Sequence, residues 1–150
     1  MWIYPDTSLL RNLTLCLNDW SPVMKTITFG KFSAPSATPI TSDLDGWIPF
    51  EGSPTMTTWL EYVSTDGKLL TGYWEATPGT YRVIYNADEM VHMFEGKATL
   101  KDDNGESVSY IAGDSFVVKA GFKGIWKTEQ TVRKIFAIRV PQDVTSPFGE

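Results

Sequence analysis

The side chains that could exchange a proton with a substrate lie in one short apolar segment, residues 88–93. Glu89 has apolar neighbours there, and a carboxyl group surrounded by apolar side chains is suited to act as an acid or base at neutral pH. His92 is the single histidine of the chain, and an imidazole can serve as a general base or as a ligand. We therefore take Glu89 as the candidate catalytic residue and His92 as a candidate ligand-binding residue.

A second set of candidates is aromatic, since the chain contains six Trp, six Tyr and eight Phe. Aromatic rings favour strands, and they also line pockets for small ligands. The rings that we assign to a ligand pocket are Trp74, Tyr81, Tyr85 and Trp126. The competing interpretation is that these rings form the core of a small β-barrel.

Charge and cysteine content exclude several classes of function. The net charge of −5 gives no general attraction for phosphate backbones, so we expect no nucleic-acid partner. Cys16 is the single cysteine, which excludes an intrachain disulfide and a cysteine-cluster metal site. No apolar run approaches the roughly 20 residues of a membrane span, and Asp6 and Arg11 make the N-terminus a poor signal peptide. These features predict a cytoplasmic protein with no membrane partner.

The elements that must position the candidate residues are short strands. From residue 56 onward, strand-forming runs alternate with turn signals such as Asp66-Gly67 and Asp103-Asn104-Gly105. The runs that we predict as strands are 57–63, 68–76, 81–85, 89–100, 107–111, 115–119, 125–127 and 131–140. This spacing predicts an all-β barrel or sandwich without a long helix.

The residues ahead of the barrel are of a different kind. Leu9, Leu13 and Leu17 share a helical face, whereas Leu13, Leu15 and Leu17 alternate as in a strand. The sequence therefore does not decide between a helix and a strand for residues 1–28. The next residues, up to position 54, contain four prolines, and we expect an extended arm there rather than a packed element. The predicted divisions are an N-terminal arm (1–55), a single barrel (56–141) and a C-terminal tail (142–150).

Two spacings in the barrel region resemble the paired motifs of the cupin superfamily. Glu89 and Gly96 have the spacing that ends the first motif, and Gly113 and Gly121 have a separation found in the second. The other segments that match one branch of the superfamily are Gly72-Tyr73-Trp74-Glu75, Pro78-Gly79-Thr80-Tyr81, Ala112-Gly113-Asp114, Gly121-Phe122-Lys123-Gly124-Ile125-Trp126 and Val132-Arg133-Lys134. That branch comprises small single-domain proteins related to the cupin domain of ureidoglycine aminohydrolase, with an ethanolamine-utilisation accessory protein as a relative. The resemblance implies a double-stranded β-helix, the jelly-roll barrel of cupins, with an extended N-terminal arm.

The resemblance also indicates where a metal would bind, and this chain departs from the pattern there. Metal-binding cupins place two histidines ahead of the motif glutamate and a third in the second motif. Those positions hold Val83, Tyr85 and Gly124 here, which leaves Glu89 alone. One carboxylate cannot hold iron, manganese or zinc, so we expect no metal and no other cofactor.

Strand alternation places Glu89 on the interior face of such a barrel and His92 on the opposite face. Gly124, where the family has a ligand, would leave room for a small molecule against Trp126. Two structural alternatives stay open. Glu89 could form a hydrogen bond to Tyr85 or to a backbone amide that fixes the strand break, and His92 could pack between the barrel and its arm.

Two lysines and two substitutions complete the pocket hypothesis. Lys119 and Lys134 are expected at the rim, where they could meet an anionic substrate or simply be solvated. Glu89→Gln is expected to abolish ligand binding or turnover at little cost in stability. Gly124→Leu is expected to block the ligand and to leave the fold intact.

Three functions fit this pattern. The first is a metal-independent enzyme that uses Glu89 on a small polar metabolite, in an aminohydrolase-, isomerase- or lyase-like reaction. The second is a module that binds a small molecule without converting it, and the third is an accessory or structural subunit. The sequence does not decide whether the protein is an enzyme. Because related cupins dimerise through N-terminal strands, the resemblance also implies a homodimer with the arm in its interface.

Overall fold

The computed structural model describes residues 25–142 and Phe148. These residues form eight strands: β1 (Trp47–Glu51), β2 (Met56–Val63), β3 (Leu69–Ala76), β4 (Gly79–Ile84), β5 (Asp88–Asp102), β6 (Ser107–Ile111), β7 (Ser115–Val118) and β8 (Lys123–Arg139). No helix that could cross a membrane is found among them. The all-β prediction is confirmed. The helix and strand alternatives for residues 1–28 rest on leucines that lie outside the described residues.

The strands form one continuous antiparallel sheet that curls into two facing layers. One layer has the order β1–β4–β8–β5–β6 and contains the first half of β8 and the second half of β5. The other has the order β2–β3–β8–β5–β7 and contains the remaining halves of the same two strands. This arrangement is the jelly roll that the sequence motifs predicted.

The two long strands pass from one layer to the other near Gly96. The β5–β8 register shifts between Met93 and Ala98, as expected where a strand must bend. Gly96 has a φ of 90°, and a Cβ there would lie 2.2 Å from the carbonyl oxygen of Thr131. Only glycine fits this crossing. The sequence predicted two strands at 125–127 and 131–140, whereas the structure joins them into one continuous β8.

The space between the layers is filled by alternate residues of the strands. In β5, Val91 and Met93 are fully buried while Met90 is half exposed, which is the two-residue period of a strand with one buried face. The largest rings come from both layers: Trp126 meets Trp74 with ring centroids 5.4 Å apart. The core is therefore aromatic at its centre.

One strand, β1, was not predicted from the sequence. Pro49 and the flanking Gly46 and Gly52 favoured an extended arm, yet Trp47 pairs with Val83 of β4 and its ring is buried. The large apolar surface of that indole supplies the reason, because its burial outweighs the poor strand propensity of its neighbours. Both predicted domain boundaries, at residues 55 and 141, stay predictions.

The rest of the described arm lies over the outer face of β2 and β3. The carboxylate of Glu61 accepts hydrogen bonds from the backbone amide and hydroxyl of Ser36 and from the amide of Gly30. The Tyr73 hydroxyl donates to the carbonyl of Gly30 at 3.1 Å. Phe32 adds an apolar contact, since the centroid of its ring lies 4.5 Å from the ring centroid of Phe94. Specific polar contacts, centred on Glu61, therefore fix this segment.

Candidate functional site

The centre of the barrel contains a buried ion pair, Glu89 with Lys134. Glu89 is on the first half of β5 and Lys134 on the second half of β8, where Lys134 pairs with Met93 across the ladder. The Lys134 Nζ lies 3.1 Å from Glu89 Oε1 and 3.0 Å from Oε2. Only 1% of the lysine side chain and 7% of the glutamate side chain are exposed. One ammonium thus serves both carboxylate oxygens away from water.

Tyr85 completes the polar set. Its hydroxyl donates to Glu89 Oε1 at 3.1 Å, which realises one of the alternatives considered for Glu89. Burial raises the pKa of the Tyr85 phenol well above its ordinary value, and the adjacent Glu89 carboxylate adds to that rise. Burial also lowers the pKa of the Lys134 ammonium, and Glu89 only partly opposes this effect. The phenol therefore serves as a donor to the carboxylate.

Two indole rings enclose the ammonium. The Lys134 Nζ lies 4.3 Å from the ring centroid of Trp74 and 4.6 Å from that of Trp126, within the range of a cation–π contact. Trp47 closes the same space, with ring centroids 5.5 Å from Trp74 and 5.8 Å from Trp126. We call Glu89, Trp74, Trp126 and Tyr85 the ammonium cage.

Lys134 corrects one expectation from the sequence, which placed it at the rim. It shares the inward face of β8 with Val132, Phe136 and Ile138, all of them buried. The signal that could have identified it is this alternation of apolar residues on either side of the lysine. The rim was expected because a long charged side chain usually reaches water. Lys119, the other rim candidate, is exposed.

Gly124 corrects a second expectation, because it does not open a space beside Trp126. A Cβ on Gly124 would lie 2.0 Å from the carbonyl oxygen of Lys101 and 2.8 Å from the Cα of Asp102. Gly124 lies between Val83 on β4 and Asp102 on β5. The missing side chain therefore allows two backbones to approach closely, and the space that a Cβ would occupy is taken by the carbonyl of Lys101.

The polar atoms of the two remaining predicted site residues bind partners outside the cage. The single proton of the Tyr81 hydroxyl is shared between two acceptors, Asp43 Oδ1 at 2.9 Å and the carbonyl oxygen of Pro54 at 3.1 Å. Burial and then Asp43 raise the pKa of its phenol. His92 lies on the opposite face of β5 from Glu89, as strand alternation predicted. Its Nδ1 forms a 2.7 Å hydrogen bond with the hydroxyl of Ser115.

The residues present do not fit the transition metal of metal-binding cupins. The side chains of Val83 and Gly124 have no atom that could bind a metal, and the Tyr85 phenol already donates a hydrogen bond to Glu89. Both Glu89 oxygens bind the Lys134 ammonium. Within residues 25–142 and 148, no three His, Cys, Asp or Glu side chains come together as a set of metal ligands.

Two hollows lie near the cage. A narrow cleft of about 30 Å³ reaches Glu89 and is also lined by Leu44, Asp45, Trp47, Ile84, Tyr85, Asn86, Ala87 and Ile138. A wider cavity of about 440 Å³ opens between β6 and β7, and we call it the barrel mouth. Its lining residues are Leu100, Asp102, Glu106, Ser107, Val108, Tyr110, Phe116, Val117, Val118, Lys119, Ala120 and Phe122.

Residues 63–136 match the EutQ-like cupin domain. The chain is 21% identical to the EutQ protein of Clostridium difficile, with a TM-score of 0.53, over 60% of this chain and 66% of that one. It is 27% identical to a protein of the DUF861 family from Pseudomonas syringae pv. tomato, with a TM-score of 0.58, over 69% of this chain and 45% of that one. The match therefore spans less than two thirds of either relative. No curated protein matches the chain.

A third similar structure is the ectoine synthase of P. lautus. It is 18% identical, with a TM-score of 0.52, over 60% of this chain and 67% of that one. At this identity the similarity shows the fold alone. Together with the strand order, the matches establish a cupin jelly roll around the ammonium cage.

Proposed function

We propose that this chain, which is similar to the EutQ-like cupin domain over residues 63–136, binds a small molecule at the barrel mouth without a catalytic metal. The observation that carries the proposal is the division between a filled centre and an open end. The ammonium cage leaves only about 30 Å³ beside Glu89. The barrel mouth offers about 440 Å³, which is the size of a small-ligand pocket.

The lining of the mouth indicates the kind of ligand. Tyr110 of β6 and Phe116 of β7 stack with centroids 3.6 Å apart and an interplanar angle of 6°, and Phe122 adds a third ring. Ser107 and Lys119 supply polar groups at its edge. A molecule with an apolar body and one polar end would match this distribution.

A ligand screen tests this function. Small metabolites would be added to ¹⁵N-labelled protein and followed by backbone amide shifts. We expect a binder to perturb Ser107 and Ala120 at the mouth and to leave the distant Asp66 turn unchanged. A binder that shifted only residues outside the mouth would contradict the assignment.

A matched pair of variants on β6 sharpens the test. Val108 lines the mouth and is 46% exposed, whereas Ile111, on the same strand, is 55% exposed and lies outside the lining. Val108→Trp should fill the mouth and abolish binding, and Ile111→Trp should bind as the wild type does. Equal affinity in both variants would rule the mouth out.

A second candidate function is acid–base catalysis at Glu89, and the narrow cleft favours it. A hollow of about 30 Å³ can hold a water molecule, and Glu89, Tyr85 and Asp45 all line it. The reaction would be aminohydrolase-, isomerase- or lyase-like. As part of this proposal, the chain is related to the cupin domain of ureidoglycine aminohydrolase and acts in the cytoplasm. Turnover that survives Val108→Trp and is lost in a folded Glu89→Gln protein would select this function over binding alone.

A further inference from the structure

We propose that the ammonium cage is a cation site whose cation is the chain's own Lys134, held where metal-binding cupins have a metal. This inference goes beyond ligand binding at the mouth and does not depend on it. Its basis is the position of Glu89, which keeps the motif glutamate while Val83, Tyr85 and Gly124 replace the histidines. The carboxylate therefore still needs a positive partner in a buried space.

The geometry of the carboxylate supports this assignment. A cation shared by both oxygens would lie on the open side of the carboxylate, and Lys134 Nζ does so at 3.0 and 3.1 Å. Tyr85 donates to Oε1 as well, so Glu89 receives three polar contacts. Its negative charge is thus matched by one full positive charge and one hydroxyl dipole.

The aromatic part of the cage indicates which cation the site prefers. Trp74 and Trp126 present their rings to Nζ at 4.3 and 4.6 Å. Indole faces attract ammonium groups strongly, but they offer no lone pairs to a transition metal. One carboxylate with two indoles is therefore a site for a monovalent organic cation such as an alkylammonium, and a divalent metal would lack ligands there.

The main experiment truncates the Lys134 side chain, which links the ammonium to the backbone, and supplies an ammonium ion from solution. Lys134→Ala deletes the atoms equivalent to n-propylammonium. We expect that ion to raise the melting temperature of Lys134→Ala by about 3–5 °C at a roughly tenfold excess over its Kd. It should leave the wild type unchanged, and also Lys134→Met, whose side chain fills the space.

Two further additives decide what the site recognises. 1-Propanol has the same length without the charge, and an equal rise with 1-propanol would overturn the proposal by showing that filled volume alone matters. A larger rise with Zn²⁺ than with n-propylammonium would also overturn it, because the vacated site would then be a metal site. No rise with any additive would do the same.

Wild-type protein provides a second measurement if Lys134→Ala fails to fold. In ¹⁵N-lysine-labelled protein, the ammonium protons of Lys134 should exchange slowly and be shifted upfield by the two indole rings. This signal should vanish in Lys134→Met and persist in Lys97→Met, since Lys97 forms an exposed pair with Glu129. Lysine ammonium signals that all exchange rapidly at similar shifts would refute the cage.

Discussion

Glu89 and Lys134 depend on each other because neither charge reaches water. Breaking such a pair on one side leaves an uncompensated charge, which typically costs about 3–5 kcal/mol, whereas replacing both charges by apolar groups is often neutral. At the level of single residues, each of the two buried charges is therefore tolerated only while the other is present. The sequence-based expectation that Glu89→Gln would cost little stability does not account for Lys134.

The first prediction is that Glu89→Gln lowers the free energy of unfolding by about 3–5 kcal/mol. The double variant Glu89→Gln/Lys134→Met should recover a large part of that loss, since no buried charge remains. Tyr85→Phe, which removes one hydrogen bond to the carboxylate, should cost less, about 1.5–3 kcal/mol. Urea unfolding monitored by fluorescence measures all three, and a Glu89→Gln midpoint equal to that of the wild type would contradict the ion pair.

The second prediction concerns Gly124. Gly124→Ala should be strongly destabilising, because its Cβ would overlap the carbonyl oxygen of Lys101. Gly121→Ala is the matched control, since Gly121 has a positive φ but no atom within 4 Å of the added Cβ, and it should cost about 1–2 kcal/mol. A smaller loss of melting temperature at Gly124 than at Gly121 would show that the β4–β8–β5 contact tolerates a side chain.

At the level of elements, Glu61 of β2 holds the described part of the arm. Burial alone would raise the pKa of Glu61, but hydrogen bonds from Ser36 and Gly30 outweigh it and hold the pKa below its ordinary value. A lowered folded-state pKa means that this contact stabilises the fold above the ordinary glutamate pKa and is lost as the pH falls through the folded-state value. The arm contact is therefore sensitive to acid.

The third prediction follows from the lowered pKa of Glu61. The backbone amide signals of Ser36 and Gly30 should stay constant from neutral pH down to the ordinary glutamate pKa of 4.5 and shift below it. Glu61→Gln should show the shifted signals already at neutral pH, and Glu106→Gln, at an exposed turn, should not. An NMR titration measures this, and amide signals that were unaffected by Glu61→Gln would show that other contacts hold the arm.

Elements also show what could be predicted from the sequence. The two-residue alternation of Glu89, Val91 and Met93 correctly predicts that these side chains face the barrel interior, because alternation is a local property of a strand. The contact between Glu89 and Lys134 joins residues on different strands and depends on the β5–β8 register, which local patterns do not encode. Strand β1 was missed for a similar reason, because its partner β4 and the cavity that Trp47 fills are distant in sequence.

At the level of the whole molecule, β1 leaves apolar side chains on the outer surface. Ile48 is 66% exposed and Phe50 is 59% exposed, and Ile84 of the neighbouring β4 is 55% exposed. Exposed apolar clusters often mark protein–protein contacts. Ile48 and Phe50 belong to the arm through which we propose that the protein forms a homodimer, and Ile84 lies on the strand that pairs with β1.

The fourth prediction is a particle of twice the 16.8 kDa chain mass at micromolar concentration. Phe50→Glu should shift the population towards single chains, because it places a charge in the proposed contact. Val63→Glu, at an exposed position on β2, should leave the mass unchanged. Light scattering distinguishes these outcomes, and a wild-type particle of one chain mass would contradict the dimer.

The long strand β8 has a consequence for how the protein is made. It is the hydrogen-bonded neighbour of β3, β4 and β5, and Leu69 at the start of β3 pairs with Arg139 at the end of β8. During synthesis the earlier strands therefore lack their common neighbour until the ribosome has released almost the whole barrel. Contacts so distant in sequence slow folding. Until β8 is available, the apolar faces of the earlier, unpaired strands are exposed and can aggregate. The nascent chain is thus expected to need chaperone protection until β8 emerges.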